Sequence, residues 1–186
     1  MKLTFQKDDL LNGINIVLKA VPSKTTMPIL ECILIDASDN QIKLTANDME
    51  LGIETKVEGS ILSKGKIALD AKLLSEIIRK LSGGESDITI ESDDKYNTTI
   101  TCDNSVFHIQ GKNGDEFSYL PFIEKDHFIC LSQFTLKEVI RQTLFSISVN
   151  DSNKMMTGEL FQVTDNELKV VSLDGHRMSI RKVELK

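Results

Sequence analysis

A chain of 186 residues, 40% of them hydrophobic, can bury a core for one or two domains, and it has no run of about eighteen apolar residues that would cross a membrane as a helix. The formal charge of −6 at pH 7 counts, as an average, against phosphate binding, but cations gathered on one face can attract a duplex while the remaining surface stays acidic. Three cysteines, Cys32, Cys102 and Cys130, form no CxxC or Cys/His pair, which excludes a disulfide scaffold and a zinc knuckle and suits a reducing cytoplasm. Met1 to Phe5 run directly into patterned sequence, so no secretory leader is expected.

In chain order, Leu3 and Phe5 form a short apolar alternation and lead into a predicted helix. Its apolar residues at 10, 11, 14, 17, 18 and 21 make one buried stripe, and Pro22 ends it. The period then switches to two. Ile33 and Ile35, Ile42 and Leu44, and Leu51 and Ile53 read as strands, separated by the turn-forming Ser38-Asp39-Asn40 and Asn47-Asp48. Ile67 and Leu69 open a second series. Asp70 is placed to cap a helix with Leu73, Leu74, Ile77, Ile78 and Leu81 on one face, Leu69 and Leu74 to staple its start, and Gly83-Gly84 to end it. Ile88 and Ile90 continue as strand. A third helix is predicted to open with the capping box Thr135-x-x-Glu138 and to bury Leu136, Val139, Ile140, Leu144 and Ile147, with Leu168 and Val170 on a later strand.

These series are repeats. A displacement of 126 positions lays Leu3 and Phe5 on Ile129 and Leu131, and Leu10, Ile14, Leu18 and Val21 on Leu136, Ile140, Leu144 and Ile147. The same displacement lays Asp39-Asn40 on Asp165-Asn166, Asp48 on Asp174, and Lys56-Val57-Glu58 on Lys182-Val183-Glu184. With the fainter copy beginning near residue 65, the chain reads as three units of about sixty residues, each a strand, a helix and three strands. Apolar helix stripes and sheet faces must cover each other, so the expected class is α+β, with helices packed in pairs on one side of curved antiparallel sheets. Residues 1–126 make one domain of two units. Residues 127–186 make one unit of a second domain, whose partner unit is expected to be missing, as in a fragment.

The opening Met1-Lys2-Leu3-Thr4, the segments Thr26-Met27-Pro28-Ile29-Leu30 and Leu44-Thr45-Ala46-Asn47-Asp48-Met49-Glu50, and above all Leu173-Asp174-Gly175-His176-Arg177-Met178 resemble the bacterial sliding clamp, the beta subunit of DNA polymerase III. The resemblance covers the whole chain. It implies the DNA-clamp fold of paired βαβββ units, a head-to-tail homodimeric ring of three-domain subunits around double-stranded DNA, and polymerase subunits and a clamp loader as partners. It implies no cofactor, metal or catalysis, and a chain that carries domain one and the first half of domain two without domain three. By the same resemblance Lys24, Lys72, Arg79, Asn150 and Lys154 face DNA. Met156, Leu173, Gly175, His176, Arg177 and Met178 form part of a pocket for short hydrophobic partner motifs. Apolar walls suit an apolar anchor, Met adapts to several ligands, and Gly admits a peptide close to the backbone.

Two other classes compete. A stand-alone peptide-binding module would use the Met156 and Met178 groove alone, and a small hydrolase would use Asp174 with His176. Against the second, Ser172 lacks a G-x-S-x-G context, His108 and His127 are isolated, and Gly83-Gly84 follows a helix instead of opening one.

Overall fold

A computed structural model describes residues 1–81, 87–118, 120, 128–149 and 153–185. The chain divides into two compact units, Met1–Phe122 and Ile123–Lys186.

Unit one runs β1 (Lys2–Phe5), α1 (Lys7–Val17), β2 (Cys32–Asp36), β3 (Ile42–Asn47), β4 (Gly52–Val57), β5 (Ser60–Ser63), β6 (Lys66–Asp70), α2 (Ala71–Lys80), β7 (Ile88–Ser92), β8 (Asn97–Cys102), β9 (Ser105–Gln110) and β10 (Lys112–Asn113). Its two antiparallel sheets have the orders β5-β1-β7-β8-β9 and β10-β6-β2-β3-β4. The two halves thus exchange their opening strands. β1 pairs with β7 of the second repeat, Leu3 opposite Ile90, and β6 pairs with β2 of the first, Leu69 opposite Ile33. One core of Leu3, Ile14, Ile35, Leu44, Leu74 and Ile90, among others, lies beneath α1 and α2, which pack on each other. β2 is buried on both faces, because Phe117 covers Cys32, Leu34 and Ala68 from the side away from that core.

Local chemistry fixes the second helix. Asp70 accepts the Leu73 N–H at 2.8 Å as its N-cap, and the staple residues Leu69 and Leu74 are fully buried. Leu73, expected on the buried face, is instead 45% exposed. The buried stripe is Ala71, Leu74, Ser75, Ile77 and Ile78, and Leu73 lies just off it toward β9.

Unit two comprises α3 (Gln133–Thr143), β11 (Leu160–Val163), β12 (Glu167–Leu173) and β13 (Met178–Glu184), the strands forming one antiparallel sheet in that order. The 126-residue displacement holds for the backbone. It carries α1 onto α3, the short 3-10 turn Leu18–Ala20 onto Leu144–Ser146, and the turn Pro28–Glu31 onto Lys154–Thr157.

Unit two departs from expectation at three points. The third helix begins before Thr135: Ser132 is the N-cap and accepts the Thr135 N–H at 3.0 Å, while Glu138 pairs with Arg141 at 2.7 Å instead of reaching back. Residues 129–131 are not a strand. In unit one the corresponding strand pairs only with β5 and the neighbouring repeat's β7, and no such partner strand stands among the described residues of unit two. For the same reason the face of α3 expected to be buried is only partly so. Val139 is buried, but Leu136 and Leu144 are 37% and 49% exposed.

Candidate functional site

The β12–β13 hairpin organises five of the six residues expected to dock partners. Its turn is built around one carboxylate. Asp174 Oδ1 accepts the backbone N–H groups of His176 and Arg177, each at 3.0 Å, and Oδ2 accepts from Arg177 Nε at 2.8 Å. The His176 N–H, then the N–H and guanidinium of Arg177, hold this carboxyl below the usual aspartate range. Gly175 takes the left-handed conformation, φ 87°, which glycine adopts without cost. The first repeat builds the same turn. Asp48 Oδ1 accepts from Glu50 and Leu51, and Met49, at φ 76°, takes the glycine's place.

The same turn counts against the hydrolase alternative. Both Asp174 oxygens are engaged by the turn and by Arg177, and the contact to His176 is to its backbone rather than its imidazole. The pair therefore does not have the carboxylate-to-imidazole orientation that a triad needs.

The hairpin carries an apolar outer face. Leu173 stands opposite Met178, and Val171 opposite both Ile180 and Leu160. Leu173 and Val171 are half-buried, while Leu160 and Met178 are each 61% exposed and Ile180 is 52% exposed. Met156, half-buried, is positioned by its backbone: its N–H donates to Asn153 O and its carbonyl accepts the Ser148 N–H. Among the described residues Leu160, Val171, Leu173, Met178 and Ile180 share one open face of the sheet, with His176 and Arg177 exposed in the turn beside it, instead of a closed pocket. Leu160, Val171 and Ile180 are not among the residues expected from sequence. Their signal was present in β12, where Leu168 and Val170 alternate with a second apolar pair, Val171 and Leu173, so that both faces are apolar.

The expected cations lie apart from this patch in the sequence. Lys72 and Arg79 are exposed on α2, seven residues apart and hence on one stripe, with Glu76 between them. Arg79 Nη2 donates to Asn15 Oδ1 of α1 at 3.1 Å and to Ser75 Oγ at 3.3 Å. These partners are neutral, so the guanidinium keeps its charge for solvent or an anion. Lys24 is exposed in the loop between the two 3-10 turns of the first repeat, and Lys154, in unit two, is exposed at the start of the turn Lys154–Thr157. Asn150 lies outside the described residues.

A repeated βαβββ unit with exchanged opening strands and a recurring Asp-centred turn defines an α+β protein of the clamp class. The family model described as DNA polymerase III beta subunit, N-terminal domain, matches residues 1–121, and its central-domain counterpart matches residues 130–186. The chain belongs to the DNA polymerase III beta subunit family. It is 38% identical to the beta sliding clamp of Bacillus subtilis over 193 aligned positions. A putative DNA polymerase III beta subunit from Eubacterium rectale superposes with a TM-score of 0.93 at 63% identity over the whole chain and 50% of that structure. A sliding clamp from Bartonella birtlesii, solved bound to griselimycin, gives 0.89 at 29% identity, over 99% of this chain and 50% of that one. The chain spans about half the length of the curated relatives it matches.

Proposed function

We propose that this chain works as part of a sliding clamp, a non-enzymatic subunit that encircles double-stranded DNA in the cytoplasm and tethers the replicative polymerase. The observation that carries the reading is the 126-residue repeat of helix, turns and hairpin, together with the family match. A closed ring holds DNA by topology and needs only weak, sequence-independent attraction to phosphate, which exposed Lys24, Lys72, Arg79 and Lys154 suit. Residues 1–126 are read as domain one and 127–186 as the first half of domain two.

Partner docking is assigned to the apolar face of the β12–β13 hairpin, with Met156, Leu173, Gly175, His176, Arg177 and Met178 joined by Leu160, Val171 and Ile180. Polymerase subunits and a clamp loader are the partners this reading implies. Head-to-tail dimerisation is supported by a separate feature of unit one. β9 is a sheet edge with Val106 and Phe107 exposed, and between it and α2 the side chains of Leu73, Ile77, Phe107 and Ile109 line an apolar groove of about 300 Å³. An open apolar strand edge is a template for another chain.

The deciding experiment uses the full-length gene product loaded on circular DNA. It is expected to stay bound through a high-salt wash and to leave when the circle is linearised; equal retention on linear and circular DNA would sink the reading. Replacing both Lys72 and Arg79 by Ala is expected to lower the slope of log affinity against log salt by roughly two, about 0.9 for each phosphate left without its cation. Phe107→Asp is expected to yield monomers in sedimentation and to abolish retention on circles.

A further inference from the structure

Within unit one, a displacement of 64 positions carries α1 onto α2. Leu10, Ile14 and Val17 fall on Leu74, Ile78 and Leu81, all buried, and Asn15 falls on Arg79, both exposed. These two counterparts touch: Arg79 Nη2 donates to Asn15 Oδ1 at 3.1 Å across the seam where α1 and α2 pack. A residue that meets its own counterpart marks the local twofold axis of the two repeats. Arginine at both positions would set two guanidinium groups against each other there, so one copy carries the cation and the other a neutral acceptor.

The choice of acceptor is informative. Glu76, exposed, stands three residues before Arg79 on α2, the spacing at which a carboxylate and a guanidinium pair along a helix. Among the described residues neither of them forms an ion pair. Both contacts of Arg79 Nη2 go to neutral oxygens instead, Asn15 Oδ1 at 3.1 Å and Ser75 Oγ at 3.3 Å. Ser75 is buried, a hydroxyl in a stripe whose other members are Ala71, Leu74, Ile77 and Ile78. A neutral acceptor directs a guanidinium without cancelling its charge; a carboxylate does both.

We infer that Asn15 is a positioning residue: with Ser75 it draws Arg79 to the α1–α2 seam and away from Glu76, and so keeps a full positive charge available to a phosphate of the duplex. This rests on reading Arg79 as a phosphate contact, and it deepens that reading by giving the contact a directing partner and an internal competitor. It also sets the form of the contact. Either two-pronged grip of a guanidinium on an anion uses Nη2, and here Nη2 is taken by the protein. Nε and Nη1 remain, so Arg79 meets phosphate through single hydrogen bonds, a weak and sequence-independent hold that lets a duplex slide.

The test is a salt titration of the full-length gene product on a short linear duplex, where topology holds nothing. Asn15→Ala is expected to lower the slope of log affinity against log salt by about 0.9, as much as Arg79→Ala does, because the released guanidinium pairs with Glu76. Adding Glu76→Gln to Asn15→Ala is expected to restore the parent slope, whereas Glu76→Gln alone leaves it unchanged, so the two sites couple. Loss of a merely structural contact at Asn15 would not be mended by a change at Glu76. An Asn15→Ala slope equal to the parent's, beside a lowered one for Arg79→Ala, overturns the inference, and so does a slope that Glu76→Gln fails to restore. If Arg79→Ala itself leaves the slope unchanged, the phosphate reading of Arg79 fails, and the Arg79 Nε–H resonance of the isotope-labelled chain without DNA decides the positioning. Displacement of that resonance by Asn15→Ala, reduced once Glu76→Gln is added, upholds it; an unmoved resonance overturns it.

Discussion

Asp48 and Asp174 show how a single side chain carries a whole local structure. Each occupies two N–H donors of its own turn and so replaces hydrogen bonds the backbone cannot make with itself. The cost of titrating them follows from the sign of the shift. Both carboxyls are held below their ordinary values, Asp48 chiefly by the Leu51 N–H and Asp174 chiefly by the His176 N–H. Their stabilisation is therefore present above the unfolded aspartate pKa, about 3.9, and is lost as pH falls through the lower folded values. Urea midpoints of the parent chain and of Asp174→Asn are expected to differ most at neutral pH and to converge as pH falls below about 4; a gap that widens in acid would refute the assignment. At Gly175 no atom lies within 4 Å of a built Cβ, so Gly175→Ala meets only backbone strain, about 1 kcal/mol for a left-handed residue. At this scale Asp48 was legible as a turn former from residue type, whereas Asp174 stood out only beside His176 and Gly175 only as an approach for a peptide, so the role of that carboxylate in its turn was not read. The left-handed Met49 was not read either, because nothing in a methionine announces a positive φ; only superposing the repeats reveals it.

Helices were read well where local rules suffice and misread where they do not. Apolar spacing located all three helices, and Asp70 was identified as the cap of α2. For α3 the Thr135-x-x-Glu138 pattern misled, since Ser132 offers an equally good cap one turn earlier and Glu138 prefers Arg141. A pair of substitutions separates the two assignments. Ser132→Ala is expected to destabilise α3 by about 1 kcal/mol, whereas Thr135→Ala removes only a hydroxyl contact to Ser132 and costs less. Equal losses measured by amide exchange across residues 133–143 would restore Thr135 as the cap. The strand missing at 129–131 has a different origin. Its alternation is as good as that of β1, but a strand is defined by its neighbours, and among the described residues of unit two no strand takes the place that β5 and β7 take beside β1. Periodicity reports which face a residue presents and is silent about which sheet receives it.

Across the whole molecule the two units differ in how far they enclose a core. Unit one closes its core from both sides: two sheets and two helices enclose Leu3, Leu10, Ile35, Leu69 and Ile90, all fully buried. Among its described residues unit two has one α-helix on one three-stranded sheet, and its buried apolar cluster there is Val139, Leu168 and Val170. Its interior is also more polar. Thr143, Ser146 and Ser172 occupy the places of Val17, Ala20 and Ala46, satisfied by hydrogen bonds such as Ser172 Oγ to the Thr143 carbonyl. Such bonds contribute about 1 kcal/mol net each, less than burial of the hydrocarbon they displace would supply over a full core. Denaturation of this chain should therefore proceed in two steps, with amides of residues 133–143 and 160–184 losing protection at lower urea than those of α1, β2 and β6. Leu74→Ala, at a fully buried site in unit one, should cost about 2–5 kcal/mol and move only the second step, while Val170→Ala should move only the first. One transition, coincident for every amide and shifted by either substitution, would show that unit two borrows its stability from unit one instead of standing on its own small core.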